Sequence, residues 1–264
     1  MSTPVSATST EPHDFASLAG DRILVTGSST GIGLAIAVEC VRAGADVILH
    51  CRTNRSLVES VANTARENGV RADVIVADVS KSDDRQRLLR EAFDGGPVTG
   101  LVNNAGADLL TTELRNAEFS DKLATLLQTD VIGTIELSRA FGHAFRSQQH
   151  GVILNIGWDQ ADRGMEGDSG ELFAATKNAV MGFSRSLAVS LAPHVRVNCI
   201  APGWIRTAWG ESAGDYWQQR VLAETPLKRW GTSDDIARTA RFLLSSEATF
   251  ITGQVINVNG GAIR

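Results

Sequence analysis

The sequence predicts an α/β fold, a single doubly wound parallel sheet of seven strands flanked by helices, and three observations predict it. Seven short β-rich runs alternate with helical patterns from Asp21 onward. Most of these runs are continuously apolar, as strands covered on both faces must be. The first, Arg22-Ile23-Leu24-Val25, passes through the glycine turn Thr26-Gly27-Ser28-Ser29-Thr30-Gly31-Ile32-Gly33 directly into the helical run Leu34-Ala35-Ile36-Ala37-Val38. No internal repeat, charge block or inter-domain linker breaks the alternation, so residues 21–264 form one domain.

Taken in order, the strands are expected at residues 23–26, 46–50, 72–77, 100–103, 152–156, 195–200 and 254–258. Between them lie helices near 31–43, 55–68, 82–93, 172–191 and 233–245, with a long helix or a broken pair across 117–147. Ser233, followed by Asp234-Asp235, is the expected N-cap of the last helix, and Gly44 and Gly69 are expected C-caps. Residues 1–20 are rich in Ser, Thr and Pro and carry neither an apolar h-region nor an arginine bias. They are expected to be a disordered tail, not a signal or transit peptide.

Composition narrows the partners. With 264 residues, 43% hydrophobic and 21% charged, the chain can bury a full core. A formal charge of -5 supplies no basic footprint for nucleic acid or anionic lipid. No apolar run approaches membrane-spanning length. The three cysteines, Cys40, Cys51 and Cys199, lack metal-ligand spacing, so no metal is expected. Cys40 and Cys199 suit a core in the reducing cytoplasm.

The glycine turn points unpaired helix N-terminal N–H groups at an anion, and its glycines let the backbone approach a pyrophosphate. Gly27, Ser29, Thr30, Gly31, Ile32 and Gly33 are therefore candidate cofactor contacts. A plain strand-to-helix turn can also use glycines this way, so the rest of the chain must decide. The spacing is not Gly-x-x-x-x-Gly-Lys-Ser/Thr, which argues against phosphoryl transfer. The second strand ends Leu49-His50-Cys51-Arg52. No acid is present to accept a ribose 2′-OH; Cys51 occupies that place. Arg52 is either a solvated charge or a partner for a 2′-phosphate, a contact worth about 1.5–3 kcal/mol. NADP(H) is thus expected over NAD(H). Asp78-Val79 ends the third strand, where Asp78 is placed to accept from an adenine amino group. Asn103-Asn104-Ala105-Gly106 ends the fourth, where Ala105 and Gly106 let a cofactor lie close.

Thr-Gly-x-x-x-Gly-Ile-Gly, Asp78-Val79, Asn-Asn-Ala-Gly, Pro202-Gly203 and the tail Arg229-Trp230-Gly231…Ile251-Thr252-Gly253…Asn259-Gly260-Gly261 together resemble the short-chain dehydrogenase/reductase family. The branch is similar to 3-oxoacyl-(acyl carrier protein) reductases, and the resemblance spans residues 18–261. It implies a Rossmann-type sheet and a bound NAD(P)(H) touching Asn104, Lys177, Pro202, Gly203, Ile205 and Thr207. It also implies a small-molecule substrate, a lid over residues 207–230, and a homo-oligomer, tetramer or dimer.

The resemblance fails at the chemistry. The family's Tyr-x-x-x-Lys appears as Phe173-Ala174-Ala175-Thr176-Lys177, and phenylalanine has no ionisable proton. Trp158 stands at the family serine and Asp130 at the helical asparagine; only Lys177 survives. Standard Ser-Tyr-Lys catalysis is therefore not expected. Asp159, next to the lost serine, is the first candidate for a substitute acid, with burial beside Trp158 raising its pKa. It heads a segment, residues 159–171, with five carboxylates, most of which suit a solvated face. Trp158 can hold a substrate oxygen through its indole N–H or serve as an apolar wall. Asp130 is expected near Lys177. Tyr216, the only tyrosine, lies in the lid with Trp204, Trp209 and Trp217 close by in sequence; it is a relocated acid or a packing residue, and the tryptophans suggest an aromatic-lined pocket.

The expected function is an NADP(H)-dependent oxidoreductase with an atypical proton relay, acting on an aromatic, quinone-like or polyketide-type carbonyl. A non-redox regulator, an inactive subunit of a hetero-oligomer, or a dehydratase, isomerase or cyclase on the same fold are the rivals.

Overall fold

The computed structural model describes residues 14–263. Seven parallel strands run in the order β3-β2-β1-β4-β5-β6-β7. They are β1 Arg22–Val25, β2 Asp46–Cys51, β3 Ala72–Val76, β4 Gly100–Asn103, β5 Gly151–Ile156, β6 Val195–Pro202 and β7 Val255–Val258. Side chains alternate across the sheet with the strand period of two. Ile23, Val25, Val47 and Leu49 enter one core with Ile36 and Ala37 of helix α1 (Gly31–Arg42), Val58 and Ala62 of α2 (Arg55–Glu67), and buried residues of the last helix. Leu24 and Ile48 point the other way. They join Leu88 of α3 (Ser82–Asp94) and Phe141 and Phe145 from the helix that follows β4. Covering both faces explains why the strands read as unbroken apolar runs.

The region expected as one helix or a broken pair is continuous but not uniform. Helix α4 (Phe119–Leu126) passes through a wide π-turn, Leu127–Gly133, into α5 (Thr134–Gln148). Such turns insert one residue per turn and re-aim side chains. Here the re-aimed residue is Asp130. After β5 comes a short 3₁₀ turn, Asp159–Asp162, then the long helix α6 (Asp168–Leu191).

Three expectations need correction. The tail does not run to Gly20: Ala16 and Leu18 are buried, Phe15 stacks on Phe242, and Arg241 donates to the carbonyls of Phe15 and Ala16. Residues 1–13 lie outside the described residues. The cap of the last helix, α9 (Ser233–Leu244), is Thr232, not Ser233. Its hydroxyl accepts from Asp235 N–H while the Asp235 carboxylate accepts from Thr232 N–H, a capping box. Gly44 and Gly69, both with positive φ, lie one residue beyond the capping residues Ala43 and Asn68, where left-handed backbone ends a helix.

Candidate active site at the carboxyl edge of the sheet

All strands end on the same edge, and the loops leaving β1, β4, β5 and β6 converge there. The glycine turn leaves β1. A Cβ on Gly27 would meet Ala105 Cα at 2.9 Å, and one on Gly33 would run into the Gly27 carbonyl and the Asn104 amide. These two glycines let the turn pack on itself. Gly31 differs: its φ is +56°, and a Cβ there would enter open space, with Thr207 Cγ2 at 3.9 Å its nearest neighbour. Ser29 is half-buried, while Thr30 and Gly31 are exposed on this open face; Ile32 packs partly against the core. A cradle open at Gly31 fits a pyrophosphate held by helix N-terminal amides.

Asn104 braces this turn from behind. Its side-chain amide donates to the Thr26 and Gly27 carbonyls, each at 3.1 Å, and its N–H donates to Thr26 Oγ1 at 3.0 Å. The N–H of Ala105 shares that hydroxyl. Asp78 Oδ1 accepts from the N–H and hydroxyl of Ser80, at 3.0 and 2.7 Å, so part of this carboxylate is committed locally. Val79 is buried in the core, which leaves only its backbone for a ligand. Arg52 is exposed and makes no hydrogen bond or ion pair among the described residues.

Lys177 and Asp130 do meet. Lys177 Nζ lies 3.0 Å from Asp130 Oδ2, with side-chain exposures of 16% and 2%. Asp130 Oδ1 accepts from the Ala107 N–H at 2.8 Å, and Lys177 also donates to the Ile156 carbonyl at 3.3 Å. A Cβ on Gly106 would approach Asp130 Oδ2 to 2.8 Å, so the small residue there makes room for the carboxylate. Lysine is fixed from two sides.

Trp158 packs edge-to-face on Phe173, with ring centroids 6.1 Å apart, and against Ala161, Met181 and Cys199. It is an apolar wall. The backbone at Trp158 is extended (φ -159°, ψ 133°), so Asp159 points the other way. Its Oδ2 accepts from Asn259 Nδ2 at 3.0 Å and lies 3.1 Å from where a Gly203 Cβ would be. Its Oδ1 is buried with no hydrogen-bond partner. Burial pushes the Asp159 carboxyl up to about 6, against hydrogen bonding by Asn259 and the backbone of Gln160 and Asp159 itself; nearby Glu224 raises it further. Asp159 is thus brought to Gly203, not to Phe173 or Lys177.

The lid expected over residues 207–230 holds two short helices, α7 (Ala208–Ser212) and α8 (Asp215–Glu224). The tryptophans expected to line a pocket pack largely on one another: Trp204, Trp209, Trp217 and Trp230 meet around Val221, mostly edge-to-face or tilted. Trp204 Nε1 donates to Glu224 at 3.0 Å. Arg220 ties the lid to the 159–171 segment through Glu166, and lies 5.1 Å over the Trp217 ring. Tyr216 is 65% exposed against Trp217, a packing residue on the outer surface. A cleft of about 620 Å³ is lined by Trp204 of this cluster with Thr225, Leu227, Ile256 and Asn259; of the expected cofactor contacts only Ile205 borders it. It is not where the chemistry-bearing side chains gather.

Sequence reasoning missed two partners, Asn259 and His50. Asn259 comes from the turn after β7. His50 takes the N–H of Gly27 at 3.0 Å. A polar residue inside an otherwise apolar strand was the signal for the second.

A sequence profile described as enoyl-(acyl carrier protein) reductase matches residues 27–262. Nodulation protein G of Rhizobium sp. (strain N33) is 36% identical over 92% of this chain and 97% of its own length. The 3-oxoacyl-[acyl-carrier-protein] reductase of Escherichia coli (strain K12) is 34% identical over 92% and 97%. Among solved structures, a gluconate 5-dehydrogenase from Burkholderia cenocepacia J2315, in complex with NADP and tartrate, superposes with a TM-score of 0.84 at 30% identity, covering 94% of this chain and 97% of that one. With the sheet order, the glycine cradle and matches across nearly its whole length, the chain belongs to the short-chain dehydrogenase/reductase family, in the branch resembling 3-oxoacyl-(acyl carrier protein) reductases.

Proposed function

We infer that this protein is an NADP(H)-dependent oxidoreductase that reduces an aromatic, quinone-like or polyketide-type carbonyl by an atypical proton relay. The observation that carries it is the pairing of an open cradle at Gly31 with a fixed Lys177, facing the apolar Trp158–Phe173 wall. The chemistry such a cofactor supplies when bound is hydride transfer. Ser29, Thr30 and Gly31 hold the pyrophosphate, Gly27 shapes the turn that presents them, and Lys177 donates to ribose hydroxyls. Asp78 and Val79 meet the adenine; Ala105, Gly106, Pro202, Gly203, Ile205 and Thr207 border the nicotinamide side. Arg52, exposed and uncommitted, receives a 2′-phosphate.

Phe173 donates no proton. A substrate whose developing charge spreads over conjugated oxygens needs the least acid assistance, which favours quinones and conjugated enones. Asp159 faces Gly203, away from the Trp158–Phe173 wall, and keeps one unpartnered oxygen; we assign it as the substitute acid for a substrate oxygen held on the Gly203 side. Three buried free thiols suit a reducing cytoplasm, and exposed Val189 and Phe250 suit a homo-oligomer, tetramer or dimer.

The test follows NADPH oxidation against quinones, conjugated enones and polycyclic ketones, with transfer of label from deuterated NADPH. Turnover of at least one class with deuterium in the product is expected. If none is turned over and no label moves, the two aromatic replacements mark a non-redox protein, either a cofactor-binding regulator, an inactive subunit, or a dehydratase, isomerase or cyclase. NADPH is expected to bind more tightly than NADH, and Arg52→Ala to remove that difference. Gly31→Val forces a β-branched side chain into left-handed backbone and into the open face of the cradle. It is expected to weaken either cofactor about a hundredfold or more, near 2.7 kcal/mol. Unchanged affinity in that variant would displace the cofactor from this turn.

A further inference from the structure

Buried in the carboxyl end of β2 is a histidine outside the motifs that carry the family resemblance. His50 is 1% exposed. Its Nδ1 receives the N–H of Gly27 at 3.0 Å, and its Nε2 lies 2.9 Å from the Ala77 carbonyl. A carbonyl only accepts and an amide N–H only donates, so both contacts are satisfied by one form of the ring alone: neutral, with the proton on Nε2. The His50 backbone adds to the clamp. Its carbonyl accepts from Ser28 N–H at 2.9 Å and from the Ser28 hydroxyl at 3.2 Å, and its own N–H donates to that hydroxyl at 2.8 Å.

We propose that His50 is a positioning residue for the cofactor: a tautomer-locked strut that fixes the glycine turn of β1 against the end of β3. The two groups it joins are the base of the turn at Gly27 and Ala77, the residue before Asp78. These lie under the two ends assigned above to the pyrophosphate and the adenine. One ring therefore sets the distance between the two halves of the nucleotide site, and Gly27 N–H, engaged by the ring, is turned away from any phosphate. The strut rests on the proposed NADP(H) site for its functional meaning, though not for its geometry.

The strut is neutral over the working range. Burial holds the His50 imidazole down to about 4, opposed by its bond to Ala77 and by the charges of Asp78 and Asp84; Arg87, on α3, works in the same direction as burial. Asp84 accepts from the Asp78 N–H at 2.7 Å and pairs with Arg87, so these charges are themselves tied to the same strand end. Protonating Nδ1 would set two N–H groups against each other at Gly27, which releases the turn only in strong acid.

Substitutions that mimic one ring nitrogen at a time separate the two bonds. Asparagine can place its carbonyl oxygen near Nδ1, keeping the Gly27 contact; glutamine can place its amide near Nε2, keeping only Ala77. In the full chain, His50→Asn, His50→Gln and His50→Leu each break at least one end of the strut and are expected to bind NADPH at least about tenfold more weakly, a tenfold step being near 1.4 kcal/mol. Thermal unfolding followed in parallel reports structural loss, and the loss of affinity should persist at temperatures where each variant is fully folded. NADPH affinity within about threefold of wild type in His50→Asn or His50→Gln shows that one bond suffices and overturns the strut. A second measurement needs no variant and no cofactor: ¹⁵N chemical shifts of the His50 ring should show the Nε2–H form from pH 8 down to about 5. Finding the proton on Nδ1, or a titration near 6.5, overturns the proposal. If wild type binds neither NADPH nor NADH, the proposed cofactor fails while the ring spectrum still decides the strut.

Discussion

Lys177→Met is expected to destabilise the fold by about 3–5 kcal/mol, the range for stripping one partner from a buried ion pair. The carboxylate of Asp130 is 2% exposed and keeps only the Ala107 N–H once the lysine is gone. The double variant Asp130→Asn/Lys177→Met should recover most of the loss, because an amide needs no counter-charge. Denaturant unfolding of the four proteins gives the coupling directly. A single variant within about 1 kcal/mol of wild type would mean that water reaches Asp130 and the pair is of the weak surface kind. The functional readout is separate. If Lys177 holds the nicotinamide ribose as proposed, Lys177→Met should lower turnover on a quinone well beyond its effect on NADPH affinity. Equal losses in affinity and turnover would leave Lys177 a binding group only.

The sheet was legible because its signals are local. Continuous apolar strands, glycine turns and helical periods each lie within a dozen residues, and they placed all seven strands within a residue or two at most ends. The Asp130–Lys177 contact was also legible, through the family resemblance. What the sequence hid lies at long separation. Asn259 reaches Asp159 across 100 residues, and no local pattern announces that contact. The tryptophans of the lid promised a lined pocket, yet four large rings in a short span satisfied one another instead. A local composition cannot say whether aromatic faces are turned outward or inward. Residues 14–20 looked like tail because they continue the Ser-, Thr- and Pro-rich stretch and are too short to show a helical or strand period. Their burial comes from Phe242 and Arg241, far along the chain. His50 announced itself only as a histidine where β2 should be apolar, which is the common mark of a buried polar residue whose partners are already arranged.

Asp159→Asn is expected to make the protein more stable above pH 6 and slower at the same time. In the folded chain burial pushes the carboxyl up to about 6, against 3.8 for an ordinary aspartate. Between those values the native state holds a proton that the unfolded chain has released, so stability falls as pH rises through the window and stays lower above it. That difference corresponds to about 3 kcal/mol of stability. An asparagine never ionises. Its side-chain oxygen can still accept from Asn259, so the variant should match wild type near pH 4 and exceed it by up to about 3 kcal/mol at pH 8. His50 works in the opposite sense. Its folded value is about 4 against 6.5, so the unfolded chain takes up the proton first and stability rises with pH across the same interval. In wild type the two contributions largely offset each other, giving a shallow profile between pH 4 and 6. With Asp159 neutralised, the His50 slope should stand alone, and the unfolding midpoint should climb steadily from pH 4 to 6.5. Turnover is the other half. Loss of a positioned acid lowers rate on the order of 10²–10⁴. If Asp159→Asn turns over quinones as fast as wild type with unchanged NADPH affinity, the proton comes from elsewhere. A stabilised, slow variant would instead mark Asp159 as a group whose buried charge weakens the fold for the sake of the reaction.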